Sequence, residues 1–191
     1  MDVRGGKQAA GGGTHVAGGN PPASMRRARL ALTTALAVYG VYYLLHPDHY
    51  GLLDHVDLAV HETGHLVFGP LGEFLGMLGG TLFQLLVPGA FVWYFTRRGD
   101  RYAAAVALWW VAQSCWNVSV YVKDARSQEL PLVGGGEHDW AYLLGELDLV
   151  HHDQALGTLV RLTGAVILAY ATVRGYACAR PAAIANREED A

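Results

Sequence analysis

Two histidines four residues apart, with a glutamate beside the first, stand at His61-Glu62-Thr63-Gly64-His65. On an α-helix, positions i and i+4 share a face about 6 Å apart, so both imidazoles can meet one metal ion. Glu62 can then reach a metal-bound water as general base, and zinc lowers the pKa of such a water to about 7. The pattern also occurs on ordinary exposed helices. Here it sits in an apolar stretch, Leu52–Phe68, that carries Asp54, His55 and Asp57 as well. Charge in a bilayer core costs about 3 kcal/mol per group or more, so such residues face a bundle interior, a cavity or a metal. A Zn2+ site is the expectation; a purely structural histidine pair is the alternative.

The third ligand is not adjacent. A metzincin would place Gly and His at positions occupied here by Phe68 and Leu71, and Glu73 lies across the Gly69-Pro70 break, badly placed for a gluzincin ligand. A separate segment must supply it. Depth selects Asp124: a helix from 102 to 124 rises about 33 Å and reaches the outer edge of the membrane core, where the motif helix is expected to enter. His138, in the following loop, is the alternative ligand, with Asp139 beside it to orient an imidazole. Arg126 is close enough in sequence to hold Asp124 in an ion pair instead.

Gln113, Asn117 and Asp124 are spaced by four and seven and form one polar stripe. It reads as an interhelical hydrogen-bond seam worth roughly 1 kcal/mol per bond, or, at Asn117, as a group that orients a substrate strand. Gln84 either polarises a substrate carbonyl or packs in the interior. Asp54 and Asp57 are expected as outer partners of the site or facing solvent.

The motif, in a hydrophobic segment and followed by Leu-Gly-Gly-Thr-Leu-Phe-Gln-Leu-Leu-Val-Pro-Gly at 78–89, resembles the site-2-protease family of membrane metallopeptidases. In that family the HExxH lies on a transmembrane helix and an Asp from a later helix completes the zinc site. The resemblance implies hydrolysis of a peptide bond in a membrane-associated protein or peptide, with Asp124 in the place of that Asp. It covers mainly residues 55–95, with a looser echo at 109–126. There the family's motif reads Asn, Pro, then Leu-Asp-Gly, and this chain reads Asn117 through Asp124-Ala125-Arg126.

The elements that must position these residues are apolar runs separated by polar punctuation. Residues 1–26 are glycine-rich and predict a disordered cytoplasmic lead-in. After Arg26, Arg27 and Arg29, the run 30–45 predicts a first span; no small-residue cleavage site follows, which argues against a signal peptide. The 52–68 segment predicts a partial or tilted helix. The run 74–95 predicts a kinked or partly unwound span, because it contains Gly79-Gly80 and Pro88-Gly89. Spans at 102–122 and 156–177 follow. Between them, 123–155 is a polar extracytoplasmic loop, in which 139–149 predicts an interfacial helix with Trp140 and Tyr142 at headgroup level. A charged tail, 180–191, closes the chain.

The expected fold is therefore all-α: one membrane domain over 27–179, with about four full spans plus the partial HExxH helix. Four crossings place every arginine-rich segment on one side. The positive-inside rule makes that side the cytoplasm of a bacterial inner membrane, with both termini inside.

Composition narrows the function. The 191 residues are 52% hydrophobic and 16% charged, with formal net charge −3 and only two cysteines, which excludes a disulfide scaffold and a wholly disordered chain. A pI near 6.3 argues against a nucleic-acid partner. Three classes remain: a zinc-dependent membrane endopeptidase, a non-catalytic metal-binding membrane protein, and a membrane di-iron oxidase or hydroxylase using the pairs His46/His49, His61/His65 and His151/His152. A bundle of this size also suits a homo-oligomer.

Overall fold

Each long apolar run forms a helix, and Gly69-Pro70 and Gly99-Asp100 separate consecutive ones. The computed structural model describes residues 22–47, 49–132 and 136–179; among them there are six α-helices and no strand. They are α1 (Ala23–Leu45), α2 (Leu52–Phe68), α3 (Glu73–Arg97), α4 (Arg101–Lys123), α5 (Asp139–Glu146) and α6 (Asp153–Ala179). Short 3-10 turns at Gly69–Leu71 and Val150–His152 connect α2 to α3 and lead into α6. Gly72 adopts φ +109° between the first of these turns and α3, a conformation other residues rarely reach. Asp100 caps α4 by accepting the Ala103 N–H at 3.0 Å.

Of the lead-in predicted over 1–26, residues 1–21 lie outside the described residues, while Ala23 to Arg26 belong to α1. The 180–191 tail lies outside them too. A helix is present within the predicted 139–149 stretch, in shorter form, as α5. The unwinding predicted in the third run does not occur: α3 continues through Gly79-Gly80 and Pro88-Gly89. Proline deletes a single helical hydrogen bond. The two central glycines serve helix contacts instead.

Three helical stretches, α1, α3 and Val150–Ala179, are long and apolar enough to span a membrane. On α6 the exposed Leu159, Leu162, Val166, Tyr170 and Val173 recur at helical spacing and leave one continuous apolar face. The fourth predicted span, α4, is long enough but is not among the three. Gln113, Ser114 and Ser119 are buried within it, because α4 lies against α1, α3 and α6 and turns these groups toward protein.

Small residues set the closest packing. Gly157 and Gly164 are seven apart on α6, and a Cβ at Gly164 would stand 2.5 Å from Trp116 Nε1 and 2.9 Å from the Ala112 carbonyl. Van der Waals contact of this kind holds helices together where apolar burial gives no advantage. Tyr43, Trp109, Trp116, Leu168 and Ala171 form the core above this seam.

Arg29, Arg97, Arg98 and Arg101 gather at one end, while Lys123, Arg126 and Arg161 lie toward the other. Tyr102 on α4 donates to the Arg29 carbonyl at 2.8 Å and lies under the Arg29 guanidinium, and Thr34 meets Tyr176. Toward the other end, Gln84 of α3 meets Asn117 of α4, and Phe91 packs on Trp110, so α3 and α4 are antiparallel. His61 lies by Gly80 while His65 bonds Gly76, so α2 opposes α3 and runs in the same sense as α4. The motif helix therefore starts part-way along the bundle and not, as predicted, at its edge; ahead of it His49 packs back against Tyr39, Tyr42 and Tyr43 of α1.

Candidate metal centre

The helical spacing of the motif does what the sequence predicts. The His61 and His65 rings lie 4.8 Å apart, centroid to centroid, on the side of α2 that faces α3. That approach requires glycine. A Cβ at Gly64 would overlap the Gly79 carbonyl, and a Cβ at Gly80 would stand 2.5 Å from His61 Nε2.

The acidic group that meets them is Asp139, at the start of α5. Its Oδ2 lies 2.8 Å from His61 Nε2 and 3.1 Å from His65 Nε2. On the far side of each ring, Nδ1 faces an acceptor: Gln84 Oε1 at 3.2 Å for His61 and the Gly76 carbonyl at 2.8 Å for His65. Each Nδ1 therefore donates, and a ring whose single proton sits there turns its Nε2 lone pair toward the same carboxylate oxygen. Three acceptor atoms that converge in this way repel unless protons or a cation lie among them. His61, His65 and Asp139, with ligand atoms all within 4.8 Å of one another, form a group that could hold a metal ion. Burial by itself would raise the Asp139 carboxyl; hydrogen bonds and charge from the two imidazoles, once their Nε2 atoms carry protons, outweigh it and hold the group below the usual carboxylate range.

Asp124 does not join this group, contrary to the sequence expectation. It comes to the right end of the bundle but caps α4, and its oxygens are taken. Oδ1 accepts from Ser127 Oγ at 2.7 Å and the Glu129 N–H at 2.9 Å; Oδ2 accepts from the Leu130 N–H at 3.0 Å and faces His138 Nε2 at 3.3 Å. Burial works against its charge, yet these amides, the hydroxyl and the nearby imidazole hold it below the ordinary carboxylate range. Arg126 pairs with Asp153 at 3.2 Å, not with Asp124. His138 is not in the group either: its Nδ1 accepts the Ala141 N–H at 3.2 Å and so caps α5. Asp124 and His138 thus shape the loop that delivers Asp139.

The remaining candidates form a row of hydrogen bonds behind His61. Gln84 Nε2 donates to Asn117 Oδ1 at 2.8 Å, and Asn117 Nδ2 and Gln113 Nε2 both donate to Asp54 Oδ1 at 2.9 Å. Gln113 and Asn117 therefore make the interhelical seam, and Gln84 orients a ring. Asp54 and Asp57 are buried rather than solvent-facing, with Asp57 Oδ1 accepting from Trp110 Nε1 at 2.8 Å. Trp140, expected at headgroup level, instead donates to Thr81 of α3 at 3.1 Å and ties α5 over the motif.

Glu62 is half-buried and lines, with His61, His65 and Asp139, a cavity of about 960 Å3. Leu58, Met77, Val120 and Leu132 give that cavity apolar walls, and Gly69, Gly72 and Gly76 leave backbone at its edge. Among the described residues no second group of three such ligands converges. Sequence reasoning had Asp139 only as an outer partner of His138; its position beside a histidine in the late loop was the available signal.

Fold and site together define a helical protein with candidate membrane-spanning helices and a His/His/Asp group able to hold a metal ion. Compared with protein-family models, curated proteins and solved structures, the chain matches none of them.

Proposed function

We propose that the chain is an integral-membrane zinc metallopeptidase that hydrolyses a peptide bond of a membrane-associated protein or peptide. The reading keeps the likeness to the site-2-protease family and assigns the carboxylate ligand to Asp139 instead of Asp124. One observation carries it: the Nε2 atoms of two imidazoles and a carboxylate oxygen converge on the wall of a large cavity that Glu62 also lines. A nitrogen–nitrogen–oxygen ligand set suits zinc, which would supply Lewis acidity toward water and a peptide carbonyl. Glu62 takes a proton from the attacking water and returns it to the leaving amine. Gln84 and Gly76 hold the two rings in place, and Asp139 offsets charge between them. The walls at Leu58, Met77 and Val120 accept an apolar substrate segment.

For topology, α1, α3, α4 and α6 cross a bacterial inner membrane and α2 is a half-length helix inside the bundle. The arginine-bearing end faces the cytoplasm with both termini, by the positive-inside rule. The centre then lies toward the outer half.

Metal analysis of purified full-length protein, joined to cleavage of transmembrane peptides in vesicles, tests the reading. One zinc per chain is expected. Glu62→Gln keeps the zinc and loses hydrolysis by at least about a hundredfold, because an amide cannot accept the water's proton. Protein that takes up no zinc overturns the metal centre; a Glu62→Gln variant that still cleaves overturns the role of Glu62.

A further inference from the structure

The polar bonds behind His61 run in one direction, and the direction starts at Asp54. This residue is 1% exposed, lies in the first turn of α2, and has no role in ligation or proton transfer above. An ionised carboxylate only accepts hydrogen bonds. Asp54 Oδ2 takes the Gly51 N–H at 2.7 Å, and Oδ1 takes the Gln113 and Asn117 amides at 2.9 Å each. Asn117, having turned its nitrogen toward Asp54, presents Oδ1 the other way and accepts Gln84 Nε2 at 2.8 Å. Gln84 is left with Oε1 toward His61 Nδ1 at 3.2 Å. A side-chain amide by itself reads either way round; a carboxylate at one end of the row leaves a single assignment for every member. The neutral His61 ring then holds its proton on Nδ1 and its lone pair on Nε2, the nitrogen in the ligand group.

We propose that Asp54 is a positioning residue that sets the His61 tautomer through Asn117 and Gln84 and so keeps Nε2 free for the metal. The second half of this rests on the metal-centre reading; the first half is read once the Asp139 carboxylate, 2.8 Å from Nε2 and a competing acceptor for the ring proton, is removed. His65 supplies an internal contrast. Its Nδ1 donates to the Gly76 carbonyl, a backbone group that cannot turn round, so its tautomer is independent of Asp54. Loss of the Asp54 charge frees the Asn117 and Gln84 amides to reverse, which would offer His61 Nδ1 a donor and move the ring proton to Nε2.

The test uses the full chain carrying Asp139→Ala, which removes the carboxylate that competes for a proton on Nε2, labelled with 15N-histidine and solubilised without metal at a pH where both rings are neutral. Nitrogen shifts separate a protonated ring nitrogen from a lone-pair one. With Asp54 present, His61 is expected to show Nδ1–H. Asp54→Asn in this background gives mixed His61 tautomers with His65 unchanged; in the chain that keeps Asp139, it lowers Zn2+ affinity by about 10–100-fold, the usual effect of losing an outer partner of a metal ligand. Asn117→Ala cuts the row at its middle and gives the same result should Asp54→Asn fail to fold. Adding Gln84→Glu to Asp54→Asn restores Nδ1–H and most of the affinity, since a carboxylate again accepts the His61 proton. His61 protonated on Nε2 while Asp54 is present overturns the proposal. So does an Asp54→Asn change that leaves tautomer and zinc affinity unaltered, or one in which His65 changes as much as His61. His61 with Nδ1–H beside wild-type protein that binds no Zn2+ leaves the relay standing and removes the metal centre.

Discussion

Two glycine-bearing interfaces use the missing side chain for different ends. Between α4 and α6, Gly157 and Gly164 admit backbone carbonyls, the Lys123 stem and the indole of Trp116; no candidate metal ligand lies there, and the contact holds the bundle together. Between α2 and α3, Gly64 and Gly79 let two backbones touch, while Gly80 leaves room for the His61 ring beside a cavity. The same residue type makes scaffold in one place and site in the other. What separates them is the neighbour: an indole, a lysine stem and carbonyls in the first case, an imidazole of the candidate metal group in the second.

The comparison is broken most severely at the carboxylates. Asp139→Ala is expected to abolish stoichiometric zinc uptake, because two imidazoles alone leave the ligand set incomplete. Asp124→Ala retains zinc and loses about 1–3 kcal/mol of stability, from the amides and hydroxyl left without their acceptor. Equilibrium dialysis with Zn2+ and unfolding in detergent measure the two quantities. The reverse pattern would put the ligand back at Asp124.

A smaller effect sharpens the contrast between the glycines. Gly164→Ala is expected to destabilise by about 1–3 kcal/mol, since the new methyl meets a carbonyl and an indole that cannot move, with zinc affinity per folded molecule unchanged. Gly80→Ala meets only the His61 ring within its three nearest contacts, so zinc affinity falls while thermal stability moves by less than about 1 kcal/mol. Equal losses of both properties in both variants would dissolve the distinction.

The smallest effect is one of pH. Asp124 has its carboxyl held below the unfolded value, so its contribution is complete above about pH 4 and declines as pH falls through the lower folded value. Hydrogen-exchange protection of the Glu129 and Leu130 amides should follow that course in wild type. In Asp124→Asn it should be weaker and flat over the same window.

Much of this was open to a reading of the sequence because it depends on neighbours along the chain. The i, i+4 spacing set His61 and His65 on one face; apolar runs and their Gly, Pro and Asp boundaries located the helices to within a few residues; basic clusters fell at one end. The spacing of Gln113 and Asn117 marked a seam that proved to exist. α3 is the partial failure: the Gly79-Gly80 pair that signalled unwinding went into close packing, which local sequence does not distinguish.

The identity of the third acidic partner lay beyond such reading. Asp124 and Asp139 are fifteen residues apart on either side of one loop, and both arrive at the correct depth. Only the fold decides between them. The Ser127 hydroxyl and the 129 and 130 amides consume Asp124 locally, and the turn they build carries Asp139 back over α2. Helical periodicity is a property of consecutive residues and is written in their order. Which of two carboxylates is left without local donors depends on how a loop closes, and that is settled by packing between segments distant in sequence.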